Sequence, residues 1–157
     1  MNKDRYNRSY PKISLEECLN HYISEEKMKC PCCNTKTLRI KKSFCELPKI
    51  IIFVLSRGLD AKFECKINFK NKLDMSKCYE PLNENRTNKN TEYDLIAATF
   101  AYDWYKGYGH TVGFCKSYKK YGSKSLYYIF NDSQASLTNL SEIEGKTPYL
   151  LFYEKII

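Results

Sequence analysis

The sequence predicts one α+β domain built mostly from antiparallel β-strands. The chain has 157 residues, enough for a single core. Hydrophobic residues make up 43% and aromatic residues 15%, which is too apolar for a disordered protein. Short apolar segments with strand periodicity recur between polar turns, and helical patterns are confined to a short helix near each end of the first half.

The first predicted element is a helix over Ser14–Tyr22. Ser14 has the side chain of an N-cap, and Glu17 follows three residues later, the spacing of a capping box. The apolar positions recur at helical spacing and predict one buried face, formed by Leu15, Cys18, Leu19 and Tyr22.

Cys30–Asn34 is predicted to form a turn, followed by a basic strand over residues 38–41. The pair Cys30-x-x-Cys33 has the spacing with which two thiolates grip one edge of a tetrahedral zinc ion, but a closed structural site needs four ligands. The remaining nearby candidates lack the spacing of a second pair: Cys18, His21, Cys32 and Cys45. The sequence therefore leaves two interpretations of this pair open: half of a zinc site, or thiols that bind no metal.

The rest of the chain is predicted to be strands and loops. Ile50–Leu55 is a continuous apolar run entered through Pro48, typical of a buried strand. Phe63–Phe69 alternates as a half-buried strand should, and residues 83–91 form a polar loop. Further strands are predicted at 93–100, 111–115, 126–130 and 148–153.

The net charge of +8 and the pI of about 9.0 raise the question of an acidic partner. The lysines are scattered rather than arranged in a stripe, so a solvated surface is favoured over nucleic-acid binding. The longest apolar run is far short of the roughly 20 residues of a membrane span. No apolar signal segment follows Met1, so the sequence predicts an intracellular location, in the cytoplasm or nucleus, where cysteines stay reduced.

A histidine and a later Asn-Asp pair could together form a catalytic base and the residues that orient it. His110 is predicted to lie between two strands, after Gly107 and Gly109, and glycines let a substrate backbone approach an imidazole closely. Asn131 and Asp132 come 21 and 22 residues later, at a predicted strand end. A papain-type cysteine peptidase needs a base His and then an Asn or Asp that orients its ring. The spacing alone is equally compatible with a loop His beside a turn.

Several segments, in order, resemble conserved blocks of the ubiquitin-specific proteases across roughly residues 13–157. The Ser14–Leu19 segment, with Glu26, is similar to the helix before the fingers, and Cys30-x-x-Cys33 to the second zinc knuckle. The other matches are Leu47–Arg57 with "LPxxLxIxLKRF", Leu73–Ser76 with "LDLS", Tyr93–Ala97 with "YxLxAV", Gly109-His110 with "GHY", Phe130–Asp132 with "FxDxxV", and Tyr149–Tyr153 with "YLLFY".

The resemblance implies a partial papain-like catalytic domain over residues 1–157, with the thumb missing. Residues 14–45 correspond to the helix and the zinc-knuckle part of the fingers, and residues 46–157 to the palm with its His and Asn boxes. It implies ubiquitin or ubiquitinated proteins as partners, with neither membrane nor nucleic acid involved. It also implies an incomplete structural zinc site at Cys30 and Cys33, and no cofactor for catalysis.

The same resemblance assigns roles to three residues. His110 corresponds to the catalytic base, Asn131 to the residue that orients it, and Asp132 to a second polar partner near the oxyanion. The family's nucleophilic cysteine lies in a block of the type "GNTCYxN", and the 157 residues contain no such block. Thr111 also stands where the family usually has Tyr.

Two main hypotheses follow. In the first, the chain is the C-terminal half of a thiol-dependent deubiquitinase, with the base and its orienting residue but without the nucleophile. In the second, it is a non-catalytic scaffold that binds ubiquitin. A basic, zinc-linked nucleic-acid binder is a third hypothesis, supported only by the charge and the tyrosine content.

Overall fold

A seven-stranded, largely antiparallel sheet dominates the computed structural model, which describes residues 12–35, 37–56, 65–83, 90–105, 108–121, 124–143 and 146–157, without the side chains of 101–109 and 119–124. The elements are β1 (Lys12–Ser14), α1 (Leu15–Tyr22), β2 (Glu26–Lys29), β3 (Thr37–Ile40), β4 (Ile50–Val54), β5 (Lys66–Asn68), β6 (Lys72–Asp74), β7 (Glu92–Tyr105), β8 (Tyr108–Tyr121), β9 (Lys124–Asn131), β10 (Gln134–Thr138) and β11 (Pro148–Lys155). Short 3₁₀ turns cover Ser76–Cys78 and Leu140–Glu142.

The strand order of the large sheet is β10-β9-β8-β7-β11-β4, and β6 also pairs with β7. Strands β7 to β10 are joined as consecutive antiparallel neighbours, whereas β11 returns to the middle of the sheet between β7 and β4. Two small sheets lie apart from it, the antiparallel hairpin β2–β3 and the parallel pair β1–β5. The predicted mostly antiparallel α+β class is therefore confirmed.

Helix α1 begins at the predicted capping box. The backbone N–H of Glu17 donates to the Ser14 hydroxyl at 3.1 Å, and the Ser14 backbone N–H donates to the Glu17 carboxylate at 2.6 Å. The Ser14 backbone N–H and the Ser14 hydroxyl both donate to the Glu17 carboxylate, and they lower the pKa of Glu17 below its usual value. Leu15 and Leu19 are buried as predicted, but Tyr22 is largely exposed, with its ring 6.0 Å from that of Phe44.

One face of the sheet packs against α1 and the two 3₁₀ turns in a single hydrophobic core. Two tyrosines in this core are fully buried and use their hydroxyl groups to fix loops. The Tyr93 hydroxyl donates to the Pro48 carbonyl at 2.6 Å, and the Tyr153 hydroxyl donates to the Lys70 carbonyl at 2.7 Å. Burial raises the pKa of both phenols, so they remain protonated donors at neutral pH.

Two sequence predictions need correction. Ile50–Leu55 is not buried on both faces, because β4 ends the order of the sheet and no described element covers its second face. Its odd-numbered side chains face the core, and Ile50, Ile52 and Val54 are exposed. His110 does not lie between strands but inside β8, since pairing with β7 already begins at Tyr108.

Strands β1, β2, β6 and β10 have no counterpart in the predictions, because each is short and polar. The Cys30–Asn34 turn and the strands at 93–100, 111–115, 126–130 and 148–153 are present, mostly within longer elements. Of the predicted strand Phe63–Phe69, only residues from Cys65 on are described, and they contain β5 with Ile67 buried. Most of the predicted loop 83–91 lies outside the described residues.

None of the described helices has the length and hydrophobicity needed to cross a bilayer.

The buried Tyr153 hydroxyl gives a test of the core. Tyr153→Phe removes the donor and leaves the Lys70 carbonyl without its partner, so we expect the free energy of unfolding to fall by about 1–3 kcal/mol. Tyr118→Phe is the matched control, because Tyr118 is exposed on β8 and its substitution should change stability by less than about 0.5 kcal/mol. Urea unfolding of both variants measures the difference, and equal midpoints would contradict the role of this hydrogen bond.

Candidate active site

His110 occupies the border between the core and the solvent on β8. Side chains alternate along a strand, so His110 lies on the same face as the buried residues Val112 and Phe114. Its partner in the neighbouring strand β7 is Tyr102. The imidazole is about half exposed, with a relative accessibility of 45%. The strand therefore fixes the backbone of His110 within a sheet and leaves its ring accessible from one side.

Asn131 is the last residue of β9, and the sheet register brings its side chain to the imidazole. Gly113 pairs with Phe130, so the end of β9 lies beside the start of β8. The Oδ1 atom of Asn131 forms a short hydrogen bond with Nε2 of His110. An amide oxygen can only accept, so Nε2 carries the proton. In the neutral ring the lone pair is then on Nδ1, which is free to act as a base.

Asp132 lies next to this pair, in the two-residue turn between β9 and β10. Its backbone has a φ of 52°, in the left-handed region that Asp tolerates better than most residues. One carboxylate oxygen is 3.9 Å from Nε2 of His110, and the side chain is 81% exposed. Asp132 is therefore placed to attract a protonated His110, in a position where water and salt screen the attraction.

A groove of about 360 Å³ opens in front of the His110–Asn131 pair. Its remaining lining combines two apolar side chains from the sheet with three polar ones, namely Val112, Ile129, Gln134, Ser136 and Lys146. No cysteine lines this groove. Cys115 is on the same strand as His110, but five residues further along it lies about 17 Å away on the opposite face. The groove thus contains an oriented imidazole without a thiol.

The other predicted site lies at the tip of the β2–β3 hairpin. A hydrogen bond of 2.8 Å from the Asn34 N–H to the Cys30 carbonyl closes the turn, and Asn34 has a left-handed φ of 56°. This turn contains Cys30 and Cys33 and also the exposed Cys32. All eight cysteines are described, and no disulfide joins them. Within the described residues, no group of three or more His, Cys, Asp or Glu side chains is arranged to hold a metal ion.

The structure therefore brings together His110, Asn131 and Asp132, and the cysteines of the hairpin belong to a different sheet. The contact between His110 and Asn131 that the sequence predicted is present. Sequence reasoning missed the groove residues Gln134 and Lys146, because a lone Gln or Lys in a polar segment carries no local signal. Chemically, the site can accept a proton at Nδ1 of His110 and stabilise the resulting imidazolium.

The family model and the related sequences that match this chain are all of ubiquitin carboxyl-terminal hydrolases. The model of the family "Ubiquitin carboxyl-terminal hydrolase" matches residues 3–153. The chain is 32% identical over 157 residues to ubiquitin carboxyl-terminal hydrolase 9 of Arabidopsis thaliana, and 30% identical over 161 residues to ubiquitin carboxyl-terminal hydrolase 15 of Homo sapiens. These alignments cover 92% of the chain but only 16% and 15% of the two relatives.

Solved structures match the fold over nearly the whole chain. The SAGA Ubp8/Sgf11/Sus1/Sgf73 DUB module bound to ubiquitin aldehyde matches with a TM-score of 0.71 and 23% identity. The match covers 94% of this chain and 36% of the solved chain. The same module bound to monoubiquitin gives a TM-score of 0.71 at 25% identity. The chain thus spans about a third of the solved chains and about a sixth of the curated relatives.

The hydrogen bond between His110 and Asn131 can be tested by chemical modification. Diethyl pyrocarbonate acylates the unprotonated nitrogen of an imidazole. Because the bond to Asn131 keeps the proton on Nε2, only Nδ1, which is crowded by the neighbouring Cβ, can react, whereas loss of the bond lets the more accessible Nε2 exchange its proton and react. We expect Asn131→Ala to speed modification of His110 roughly five- to tenfold, the equivalent of a hydrogen bond of about 1–1.4 kcal/mol. Asn131→Asp keeps an acceptor and should leave the rate slow.

His21 is the only other histidine in the chain, and mass spectrometry of peptides separates the two. Because His21 lies at the end of α1, its rate provides an internal reference that neither variant should change. An unchanged rate for His110 in Asn131→Ala would exclude the hydrogen bond.

Proposed function

The chain belongs to the ubiquitin carboxyl-terminal hydrolase family, and we propose that it forms the base-carrying half of a thiol-dependent deubiquitinase. The observation that carries the proposal is the hydrogen bond between His110 and Asn131 in an open groove. In this role His110 is the general base, Asn131 holds its ring in one tautomer, and Asp132 is a second polar partner. The nucleophilic thiol comes from polypeptide outside the 157 residues.

The geometry supports a specific proton path. Because Nε2 of His110 donates to Asn131, Nδ1 is the atom that takes the proton of the thiol. The thiolate then attacks the carbonyl carbon of the isopeptide bond that follows the terminal glycine of ubiquitin. The His110 imidazolium returns its proton to the departing lysine amine. Water, deprotonated by the same imidazole, hydrolyses the thioester and regenerates the thiol.

Ubiquitin is proposed as the ligand because two of the matched structures contain it. The solved relatives with the same fold were bound to ubiquitin aldehyde and to monoubiquitin. Those complexes contain several proteins, and this chain matches only 36% of one chain of the first. We therefore propose that this chain contributes part of a ubiquitin-binding surface and that its affinity alone is weak.

Zinc is proposed only as a weak ligand of the hairpin tip. Cys30 and Cys33 supply two of the four ligands that a closed structural site needs, and the described residues provide no third. The donor set does not fit a complete site, and no catalytic step is assigned to the metal.

The proposed function predicts that the purified chain does not cleave ubiquitin fused to a fluorogenic leaving group. His110 and Asn131 can activate a thiol but cannot replace one, so the rate should equal that of buffer. A ubiquitin probe with a C-terminal electrophile provides the second measurement, because it labels any activated cysteine covalently. Labelling that His110→Ala abolishes would contradict the absence of a nucleophile in this chain.

A binding measurement separates the two function hypotheses. If the isolated chain binds ubiquitin weakly and the probe labels no cysteine, the result supports the scaffold hypothesis. Turnover that appears only when a cysteine-bearing family fragment is added, and disappears with His110→Ala, supports the base-carrying role. If that fragment binds the chain and no turnover appears, the base-carrying role is wrong.

For zinc, we expect clearly less than one equivalent per chain after dialysis against buffer without chelator. Cys30→Ser should remove what remains, whereas Cys45→Ser, at an exposed cysteine outside the turn, is the matched control. Inductively coupled plasma mass spectrometry gives the metal content. A full equivalent that resists dialysis would mean that a complete ligand set exists.

A further inference from the structure

The reaction assigned to the His110 groove has two halves, and the halves need different parts of the site. Forming the thioester requires a thiol, and among the described residues none that lines the groove is a cysteine. Hydrolysing a thioester requires only a base, a water molecule and space for the acyl group. The groove volume of about 360 Å³ is many times the roughly 30 Å³ that one water occupies in the liquid. The groove therefore has what the second half needs.

The His110 imidazole is oriented to act on water. Its Nε2 atom donates to the Oδ1 atom of Asn131, so the lone pair of the neutral ring is on Nδ1. The side chain is 45% exposed, and solvent reaches it from the open side of the groove. A water molecule is small enough to bond to Nδ1 beside the Cβ of the same residue, whereas an acyl carbon is hindered there. His110 is therefore suited to general-base catalysis rather than to direct attack on the carbonyl.

The neighbouring polar groups match the charges that form when water attacks a carbonyl. As the ring takes a proton it becomes an imidazolium, and the Asp132 carboxylate, 3.9 Å from Nε2, attracts that charge. Solvent weakens this attraction, because Asp132 is 81% exposed. The carbonyl oxygen becomes negative at the same time, and the groove residues Gln134 and Lys146 carry N–H donors of the kind that stabilises an oxyanion. Groups of both required signs thus lie in or beside the groove.

The leaving group decides which acyl compound such a site hydrolyses. A cysteine-like thiol has a pKa of about 8.5, so it departs as a thiolate without first being protonated. A lysine amine is far more basic, with a pKa of about 10.4 for its ammonium form, and it leaves an amide only after gaining a proton. Resonance with nitrogen also makes an amide carbonyl less reactive. Water activated by His110 is therefore sufficient for a thioester, but not for an isopeptide bond or another amide.

We propose that this chain hydrolyses acyl thioesters without a cysteine of its own, and that its preferred substrate joins the C-terminal glycine of ubiquitin to a separate thiol. Nδ1 of His110 takes a proton from water, the water oxygen bonds to the carbonyl carbon, and the C–S bond breaks. The departing thiolate recovers the proton from the imidazolium, so the products are a carboxylic acid and a thiol, and water is the only co-reactant. The choice of ubiquitin rests on the proposed function, whereas the thioesterase chemistry rests on the groove alone.

The test compares two thioesters of mercaptoethanesulfonate, one of ubiquitin and one of N-acetylglycine, each incubated with excess chain at neutral pH. Chromatography measures the acid product. We expect the ubiquitin thioester to be hydrolysed about 100-fold faster than in buffer, the low end of what a general base contributes. The N-acetylglycine thioester should gain less, because it lacks the binding surface of ubiquitin. His110→Ala should return both rates to those of buffer, and His21→Ala, at the last turn of α1, is the matched control that should change neither.

Two further measurements separate activated water from exchange onto the eight cysteines of the chain. Exchange would persist in His110→Ala and would leave acylated cysteines in the mass spectrum, whereas general-base hydrolysis leaves none and is slower in D₂O. Asn131→Ala should lower the rate roughly five- to tenfold, because the ring loses its orienting hydrogen bond. Asn131→Asp keeps an acceptor and should retain most of the rate. Urea midpoints show that each variant is folded.

The outcomes distinguish this inference from the proposed function. Buffer rates for both thioesters with the folded chain, or rates that His110→Ala leaves unchanged, would overturn the thioesterase activity, even if the cysteine-bearing fragment restores isopeptide cleavage. Hydrolysis of the N-acetylglycine thioester without faster hydrolysis of the ubiquitin thioester would overturn the choice of ubiquitin. Hydrolysis of both that depends on His110, with ubiquitin faster, supports the inference even if the added fragment gives no isopeptide turnover.

Discussion

The register of the β7–β8–β9 ladder is the constraint on which the rest of the molecule depends. It sets the backbone of His110 against β7 on one side and against the end of β9 on the other. A shift of one residue would turn His110 to the opposite face and move Asn131 away. The register is held because Phe100, Phe114 and the other inward side chains of these strands are buried in one core. Packing far from the groove thus determines the position of the imidazole.

The core and the groove share one face of the sheet, in different halves. Over part of this face α1 and the 3₁₀ turns complete the core, and the hydroxyls of Tyr93 and Tyr153 fix the neighbouring loops. Towards β9 and β10 the same face is open, and there His110 meets solvent. The covered part of the sheet therefore stabilises the strands on which the open part exposes the His110 imidazole to solvent.

Local chemistry made part of this predictable from sequence. The Ser14–Glu17 capping box is a short-range pattern, and it is found as predicted. The pair His110 and Asn131 could be proposed because a family resemblance supplied the distant pairing that spacing alone does not contain. The burial of Ile50–Leu55 was misjudged, because an apolar run does not show whether one face of its strand or both are covered. Strand β10 was missed, since polar residues such as Gln134 and Ser136 form a strand only through pairing with β9.

The late position of β11 has a consequence for how the chain is made. Residues of β4 pair with partners about a hundred positions later, from Leu150 opposite Val54 to Glu154 opposite Ile50. A ribosome adds roughly 5–20 residues per second, so β4 waits on the order of 5–20 s before its neighbour emerges. During that interval both of its edges and both of its faces are uncovered. Among the described strands of the large sheet, β4 therefore remains longest without a partner strand during synthesis.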